Sequence, residues 1–588
     1  MNLTDALQKY FGYTNFRPGQ EIIIQSILSN QDVLGVLPTG GGKSICYQLP
    51  ALLMNGITVV ISPLISLMKD QVDSLQREGI AAGYINSSMD RQAYLDTITA
   101  MRRGQLKLIY VAPERLLNDW FSKELSQQNI SMIAVDEAHC VSQWGHDFRQ
   151  SYRNINQYIQ QLTPRPIITA FTATATEVVR DDIIQQLELQ SPQVFINSFD
   201  RPNIRFTIKE PTNKMEALTE YLSHDESIII YSGTRNNCEK LELALSKRGY
   251  KVGKYHAGMS AEARQTAQDN FIYDRINIIV ATNAFGMGID KTDVRKVIHY
   301  NMPTDLESYY QEAGRAGRDS LEAEAILLFS AQDIVQAKLL IENSQDPYVE
   351  KRLQTMVSYV NETRCLRNYI LRYFGEATHK PCQNCSSCLS EFETIDVTKE
   401  AQMILSCIVR MKQAFGMMMV TNVLRGSKDK KIREWGFDKL STYGLLKDYP
   451  QGEVRDIISS LLASNYLKVN EHRGLELTHH ASNILKGETT FKIKARKRKK
   501  AVHKPKISAA LTPTDNELFE SLRHLRSELA KEEGVPAYII FNNKSLVDMT
   551  YQLPTDYNSF LKIEGVGAVK ADKYWKDFTD IIKTHLNS

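Results

Sequence analysis

The sequence predicts an α/β protein: two tandem parallel-sheet lobes followed by smaller, mostly helical units. Three observations carry this prediction. A glycine-rich loop at 37–44 lies between an apolar strand and the start of a helix. A second apolar strand ends in Asp136-Glu137-Ala138-His139. Strand-length apolar runs alternate with polar, helical segments over residues 1–340, as parallel sheets with crossover helices require.

The loop Leu37-Pro38-Thr39-Gly40-Gly41-Gly42-Lys43-Ser44 comes first. Its three glycines let the backbone curl so that N–H groups face a phosphate. Lys43 is placed to reach the β/γ-phosphates and the Ser44 hydroxyl to hold Mg²⁺. Leu37 stands where the strict phosphate-loop pattern has its first glycine. A glycine-rich turn alone would also fit, so a matching acidic strand end is the deciding feature. Residues 131–135 supply it, because ligands sit at the carboxyl ends of strands in open parallel sheets. There Asp136 completes the Mg²⁺ shell, and Glu137 polarises the attacking water as general base.

Further strands are expected at 33–37, 58–61, 108–111 and 167–171, then at 227–231, 278–281 and 296–300. The stretch Phe199-Asp200-Arg201-Pro202-Asn203 reads as the join between the lobes. Only the first lobe carries a phosphate loop, which puts nucleotide in the cleft between them. Gln311-Glu312-Ala313-Gly314-Arg315-Ala316-Gly317-Arg318 supports that cleft. Two arginines three apart are expected on one helical face, with Arg318 as the finger on the γ-phosphoryl group and Arg315 as a second contact.

With these motifs in order, the chain resembles a RecQ-family DNA helicase of superfamily two along essentially its whole length. The resemblance implies RecA-like lobes and assigns Lys43, Asp136, Glu137, His139, Arg315 and Arg318 to catalysis. Phe16-Arg17-Pro18-Gly19-Gln20 resembles the adenine-reading motif. Gln20 offers the base edge a donor and an acceptor, and Tyr13 or Arg17 stacks on or bonds to it. Asp290 and Gln311 join Thr39–Ser44 as nucleotide contacts. Ser62-Pro63-Leu64 and Ala112-Pro113-Glu114-Arg115 match backbone-gripping motifs, and Thr172-Ala173-Thr174 the coupling motif. The segment 281–290, with Thr282 and Asn283 as DNA contacts, matches motif V.

After motif II comes Cys140-Val141-Ser142-Gln143-Trp144-Gly145-His146-Asp147-Phe148-Arg149. Trp144 and Phe148 offer π-faces for bases and Arg149 adds charge, so this loop is expected to report DNA binding to Glu137. Cys365, Cys382, Cys385 and Cys388 follow, separated by sixteen, two and two residues. Four thiolates satisfy one tetrahedral Zn²⁺ with no open position, which makes the site structural. Arg364, Arg367 and Lys380 are near enough in sequence to soften its negative charge. Cys46, Cys140, Cys238 and Cys407 read as ordinary small side chains.

Helical spacing at 404–409, 439–446 and 453–463, then short strands at 466–469 and 475–477, suggests a winged helix with His472 and Arg473 near the hairpin tip. A run of lysines and arginines from Lys492 to Lys506 reads as a basic linker with non-specific phosphate contact. From Thr512 a leucine-faced helix begins a unit resembling the small helical (HRDC-like) domain of RecQ C-termini. Its Gly565-Val566-Gly567 turn is a candidate phosphate acceptor or packing turn, beside Lys544, Lys562 and Lys570. The expected divisions are 1–204 and 205–340 for the lobes and 341–398 for the zinc module. The winged helix takes 399–487, the linker 488–511 and the C-terminal domain 512–588.

Eight cysteines in 588 residues exclude a disulfide scaffold, and a net charge of +3 excludes a polycation. No apolar run is long enough to span a bilayer, so no membrane partner is expected, and the resemblance implies a cytoplasmic, nucleoid-associated bacterial protein. The resemblance implies ATP, Mg²⁺ and Zn²⁺ as cofactors, and 3′-to-5′ movement on single-stranded DNA that unwinds duplex or branched DNA. It also implies single-strand-binding protein and recombination factors as partners. An RNA helicase would share the lobes but not the aromatic loop and four-cysteine module. A non-enzymatic scaffold would need broken motifs, whereas Lys43, Asp136, Glu137 and Arg318 are all present.

Overall fold

Uninterrupted runs of branched apolar residues make strands that are buried on both faces, as parallel sheets require. The computed structural model describes residues 2–586 except 87–88, 146, 287–290, 343, 345, 347, 363, 378–379, 391, 465, 471–473 and 497–514. In the first lobe the strands are β1 (Val33–Val36), β2 (Ile57–Ile61), β3 (Ala82–Ile85), β4 (Leu108–Val111), β5 (Ile130–Val135), β6 (Ile167–Thr172) and β7 (Gln193–Ile196). They form one parallel sheet in the order β3-β4-β2-β5-β6-β1-β7. The second lobe contains β8 (Ile204–Lys209), β9 (Ser227–Tyr231), β10 (Val252–Tyr255), β11 (Ile278–Ala281), β12 (Val294–His299) and β13 (Ala323–Leu328). These too are all parallel, in the order β10-β11-β9-β12-β13-β8.

The strand order places the chemistry. β6 lies between β1 and β5, so Thr172 at its end falls between the phosphate loop and the acidic strand end. The chain leaves the first sheet after β7 and enters the second at Ile204, so residues 197–203 are the connector.

Beyond the lobes, helices Val349–Val360 and Leu366–Tyr373 lead into the four-cysteine cluster. Helices Thr398–Arg410, Met417–Leu424 and Gln451–Ala463 then pack around a core of Ile404, Val420, Ile458 and Leu467. The antiparallel pair β15 (Leu467–Val469) and β16 (Leu475–Leu477) completes a winged-helix arrangement. Its tip residues His472 and Arg473 lie outside the described residues.

Two local expectations fail here. Residues 439–446 form no helix: a short 3₁₀ turn, Phe437–Lys439, opened by the left-handed Gly436 is followed by turns around Gly444 (φ +74°). The head of the basic run is a strand. β17 (Lys492–Arg496) pairs antiparallel with β14 (Phe392–Asp396), setting Ile493 opposite Ile395.

The C-terminal unit, with helices Asn516–Glu533, Asn543–Gln552 and Ala568–Leu586, has its own core around Phe541, Phe560 and Phe578. It is seated on both lobes. Gly565 N donates to Gly12 O (3.1 Å), and Lys570 Nζ is 3.0 Å from Glu78 Oε1. On the second lobe, Asn543 Nδ2 donates to Asp319 Oδ2 (3.2 Å). The Gly565-Val566-Gly567 turn is therefore a packing turn, with no room there for a phosphate: a Cβ on Gly12 would lie 2.3 Å from Gly567 N. No described helix is long and apolar enough to cross a membrane.

Candidate functional site

A cavity of about 280 Å³ opens between the lobes and is lined by Gly40, Gly42, Lys43, Ser44, Asp136 and Glu137 from the first and Gln311, Arg315 and Arg318 from the second. Gly40 (φ +83°) and Gly42 (φ +78°) supply the left-handed turns that curl the loop, and the helix Lys43–Leu53 starts at its end. A Cβ on Gly41 would lie 2.9 Å from Pro38 O, which explains the third glycine.

At the end of β5 the carboxylates diverge. Asp136 is buried, and that burial together with the neighbouring Glu137 pushes its carboxyl up to about 7. A buried acid short of positive charge is a fitting donor for Mg²⁺, with Ser44 across the cavity as a second. Glu137 sits at φ +47°, a conformation rare outside glycine and asparagine, and its N–H donates to Asp136 Oδ1 (3.0 Å). Lys43 Nζ lies 3.4 Å from Glu137 Oε1, and His139 Nδ1 lies 3.4 Å from Oε2. His139 is itself fixed by Thr172 Oγ1 at 2.9 Å, so a continuous path runs from Glu137 to the end of β6. Tyr152, which the sequence reading missed, donates to Asp136 O (3.0 Å).

Gln20, Arg17 and Tyr13 line the same cavity. The Gln20 amide also holds the loop: Nε2 donates to Gly42 O (3.0 Å) and Oε1 accepts from Arg17 N (2.8 Å). Arg17 donates to Gly40 O. Asp290 lies outside the described residues.

The arginine pair is not helical. The helix Leu306–Ala313 stops at Gly314, and Gly317 (φ +57°) keeps the following segment in turns. Arg318 lies over the phosphate loop, where a Cβ on Gly40 would be 3.7 Å from its Cγ. Arg315 is 4% exposed and lies against motif V: a Cβ on Gly286 would be 3.5 Å from its Nη2. Asn542, Lys544 and Glu564 of the C-terminal unit also line the cavity, and nothing in their local sequence signals it.

The sulfurs of Cys365, Cys382, Cys385 and Cys388 lie within 4.8 Å of one another, as tetrahedral Zn²⁺ with Zn–S bonds of about 2.3 Å requires. Backbone N–H groups point at them: Leu366 N and Cys388 N at Cys385 Sγ (3.3 and 3.4 Å), and Asn384 N and Cys385 N at Cys382 Sγ (3.4 and 3.3 Å). Cys365 caps the helix Leu366–Tyr373 rather than lying within it. Arg364 pairs with Glu362 and Arg367 with Asp200, so neither is committed to the thiolates. The other four cysteines are buried.

Family models match the chain in the same order as these parts. They are a DEAD/DEAH box helicase over 17–182, a helicase conserved C-terminal domain over 213–320, a RecQ zinc-binding segment over 331–389, an RQC domain over 391–502 and an HRDC domain over 515–582. The chain is 43% identical to the ATP-dependent DNA helicase RecQ of Bacillus subtilis over 98% of both chains. It is 41% identical to that of Pasteurella multocida over 99% of this chain and 93% of the relative. It is 40% identical to that of Haemophilus influenzae over 99% and 95%. The chain belongs to the RecQ family of ATP-dependent DNA helicases. It is an ATP-dependent DNA helicase acting in recombination and repair, its cofactors are ATP, Mg²⁺ and Zn²⁺, and 3′-to-5′ polarity is typical of the family. The RQC match begins at 391 and ends at 502, so it takes in both β14 and β17, across the division expected at 398.

The aromatic loop of this RecQ chain is partly exposed, with Trp144 at 38% and Phe148 at 37%. Trp144 lies against Tyr348 at 4.0 Å between ring centroids with the rings tilted by 37°, and Arg153 lies over Phe148 at 5.1 Å. Arg149 pairs with Asp147 Oδ2 (3.1 Å) and donates to Pro63 O (3.2 Å), tying the loop to the segment after β2. Ser62 is 1% exposed and its N–H continues the ladder to Val111 O, so its side chain faces the interior rather than a strand of DNA. Thr282 is buried beyond β11, while Asn283 is exposed.

Proposed function

We propose that hydrolysis takes place in the interlobe cavity with the following division of labour. Lys43 and the N–H groups of Thr39–Ser44 hold the β/γ-phosphates. Ser44 and Asp136 hold Mg²⁺, which supplies charge neutralisation when bound. Glu137 orients and deprotonates the attacking water, and His139 carries its state to Thr172 and the coupling motif. Arg318 reaches the γ-phosphoryl group from the second lobe, with Arg315 keeping that lobe's motif V in step. Gln20, Arg17, Tyr13, Gln311 and Asp290 bind the rest of the nucleotide. What carries this reading is the convergence of one loop, two carboxylates and two arginines on a single cavity from both lobes.

Closure and reopening of that cleft step the lobes along single-stranded DNA. Trp144, Phe148 and Arg149 sense the strand, and Asn283 grips it from the end of β11, with the buried Thr282 beside it contributing through its backbone position. Ser62 contributes through its backbone position. The zinc and winged-helix units hold the duplex ahead. We extend this reading to single-strand-binding protein and recombination factors as partners, to a cytoplasmic, nucleoid-associated location, and to the domain divisions given above, with β14 and β17 joined to the winged-helix unit. ATP hydrolysis measured with single-stranded DNA, RNA, duplex DNA or none, beside Glu137→Gln, tests it. Strong stimulation by single-stranded DNA alone, reduced at least ~10²-fold in the variant while nucleotide still binds, is the expected result. Equal stimulation by RNA overturns the DNA-sensing role of the aromatic loop, and an unimpaired Glu137→Gln removes that residue as the base.

A further inference from the structure

The connector between the lobes sends one side chain into the cleft. Arg201 Nη1 donates to Thr39 O (2.7 Å) and to Gly314 O (3.0 Å), and its Nη2 donates to Ala316 O (3.0 Å) and Gly317 O (3.0 Å). One planar fork thus joins the phosphate loop to the turn that carries Arg315 and Arg318. Asn203, two residues on, donates from Nδ2 to Gly317 O (2.8 Å) and Leu321 O (2.9 Å). The backbone of the arginine turn is held by the connector, and the Arg201 guanidinium shares the space over Gly40 with the Arg318 side chain.

The acceptors are all neutral carbonyls. Desolvation in this partly buried setting, with Arg318 and Arg17 nearby, lowers Arg201 to about 10, which still leaves it charged at neutral pH. Drawing a guanidinium partly out of water without a carboxylate partner costs free energy that an apolar side chain would not. Its use here is geometric: a rigid fork serves several acceptors that a single ammonium cannot.

The connector is gripped on its far side by the zinc module. Arg367 reaches Asp200 Oδ1 (2.9 Å) and Ile204 O (2.8 Å). Glu376 accepts from Ser198 Oγ (2.9 Å) and from Phe199 N, and Phe374 stacks on Phe199 at 4.3 Å. Held between two grips, Arg201 has little freedom to move independently of the zinc module.

We propose that Arg201 is a positioning residue for ATP hydrolysis: it sets the Arg315–Arg318 turn against the phosphate loop and acts through Arg318. The inference rests on the reading of Arg318 as the γ-phosphoryl contact, and the experiment separates the two. In the full-length, zinc-loaded chain, Arg201→Gln, Arg201→Lys, Arg318→Ala and the double variant Arg201→Gln/Arg318→Ala are assayed for DNA-stimulated kcat and KM for ATP, with zinc content and Tm as fold controls. The expected result for Arg201→Gln is a kcat lowered at least ~10-fold with KM within about threefold, the pattern of lost transition-state stabilisation. Arg201→Lys, which keeps charge but loses the fork, falls between it and the parent. The double variant is within about threefold of Arg318→Ala alone, because a residue acting through another adds no independent loss. Multiplicative effects in the double variant, or a kcat equal to the parent in Arg201→Gln, overturn the proposal while leaving the Arg318 reading intact. A parental kcat in Arg318→Ala overturns both. Should Arg201→Gln lose zinc or fold, Arg201→Lys decides: parental kcat overturns the proposal, and reduced kcat at unchanged KM supports it.

Discussion

Trp144 shows how much a single residue's setting decides. Its type and its place after Asp136-Glu137 are visible in the sequence; its partner is not. Tyr348, more than 200 positions away, lies against it at 4.0 Å with the rings tilted, and Arg352 Nη1 donates to the Trp144 carbonyl at 3.4 Å. Tyr348 thus covers part of the ring while the rest of Trp144 stays open to a DNA base, and a base–aromatic stack is worth about 1–3 kcal/mol. Trp144→Ala should lower the single-stranded-DNA-stimulated ATPase rate towards the DNA-free rate; full stimulation in that variant would take the ring out of the signal path. The same limit of sequence reading applies to Ser62 and to the arginine pair. A motif names the residue, but burial at a strand end turned Ser62 inward, and Gly314 and Gly317 broke the helix expected under Arg315 and Arg318.

Among elements, long runs of branched apolar residues were legible and short or interrupted ones were not. All eight expected strands of the two sheets are present, because central parallel strands need apolar side chains on both faces. The five not anticipated are β3, β7, β8, β10 and β13. β3 and β10 carry glycine (Gly83, Gly253), and β7 alternates half-buried and exposed residues at the sheet edge. β17 was hidden by its charges, since Lys492, Lys494 and Arg496 mask the strand period around Ile493. The zinc module was legible because four cysteines at fixed spacing admit few other uses; its grip on the connector was not. Loss of the metal should loosen that grip, because site formation and folding are linked. Cys382→Ser should bring zinc content below about a tenth of the parent's and lower Tm. DNA-stimulated kcat should fall with it, through Arg367 and Glu376 losing the connector. A zinc-free variant with parental kcat would show the two sites to be independent.

At the scale of the whole molecule, the C-terminal unit lines part of the nucleotide cavity through Asn542, Lys544 and Glu564, and the amphipathic pattern of its helices could not reveal that. The seat depends on backbone meeting backbone. Gly12 adopts φ +72° as it ends the helix Leu3–Phe11, and Gly565 N donates to its carbonyl at 3.1 Å. Lys570–Glu78 (3.0 Å) and Asn543–Asp319 (3.2 Å) flank the contact, and Lys544 pairs with Glu564 (2.6 Å) at the cavity rim. The partly exposed Lys570–Glu78 pair contributes at most about 1 kcal/mol and the buried Asn543–Asp319 hydrogen bond adds to it, while the close glycine packing is the contact that one added methyl group breaks. Gly12→Ala places a Cβ 2.3 Å from Gly567 N, and no side-chain rotation relieves that clash. The variant should release the unit from the lobes: amide exchange at 565–567 speeds up, and a fluorescent ATP analogue dissociates several-fold faster. Alanine at positive φ costs about 1 kcal/mol in its own right, so a second pair of proteins separates the two effects. In chains truncated before Thr512 the clash has no partner, and Gly12→Ala should then leave nucleotide dissociation equal to that of the truncated parent. If the truncated pair still differ, the substitution acts within the first lobe; if they match while the full-length pair differ, the C-terminal unit governs access to the cleft.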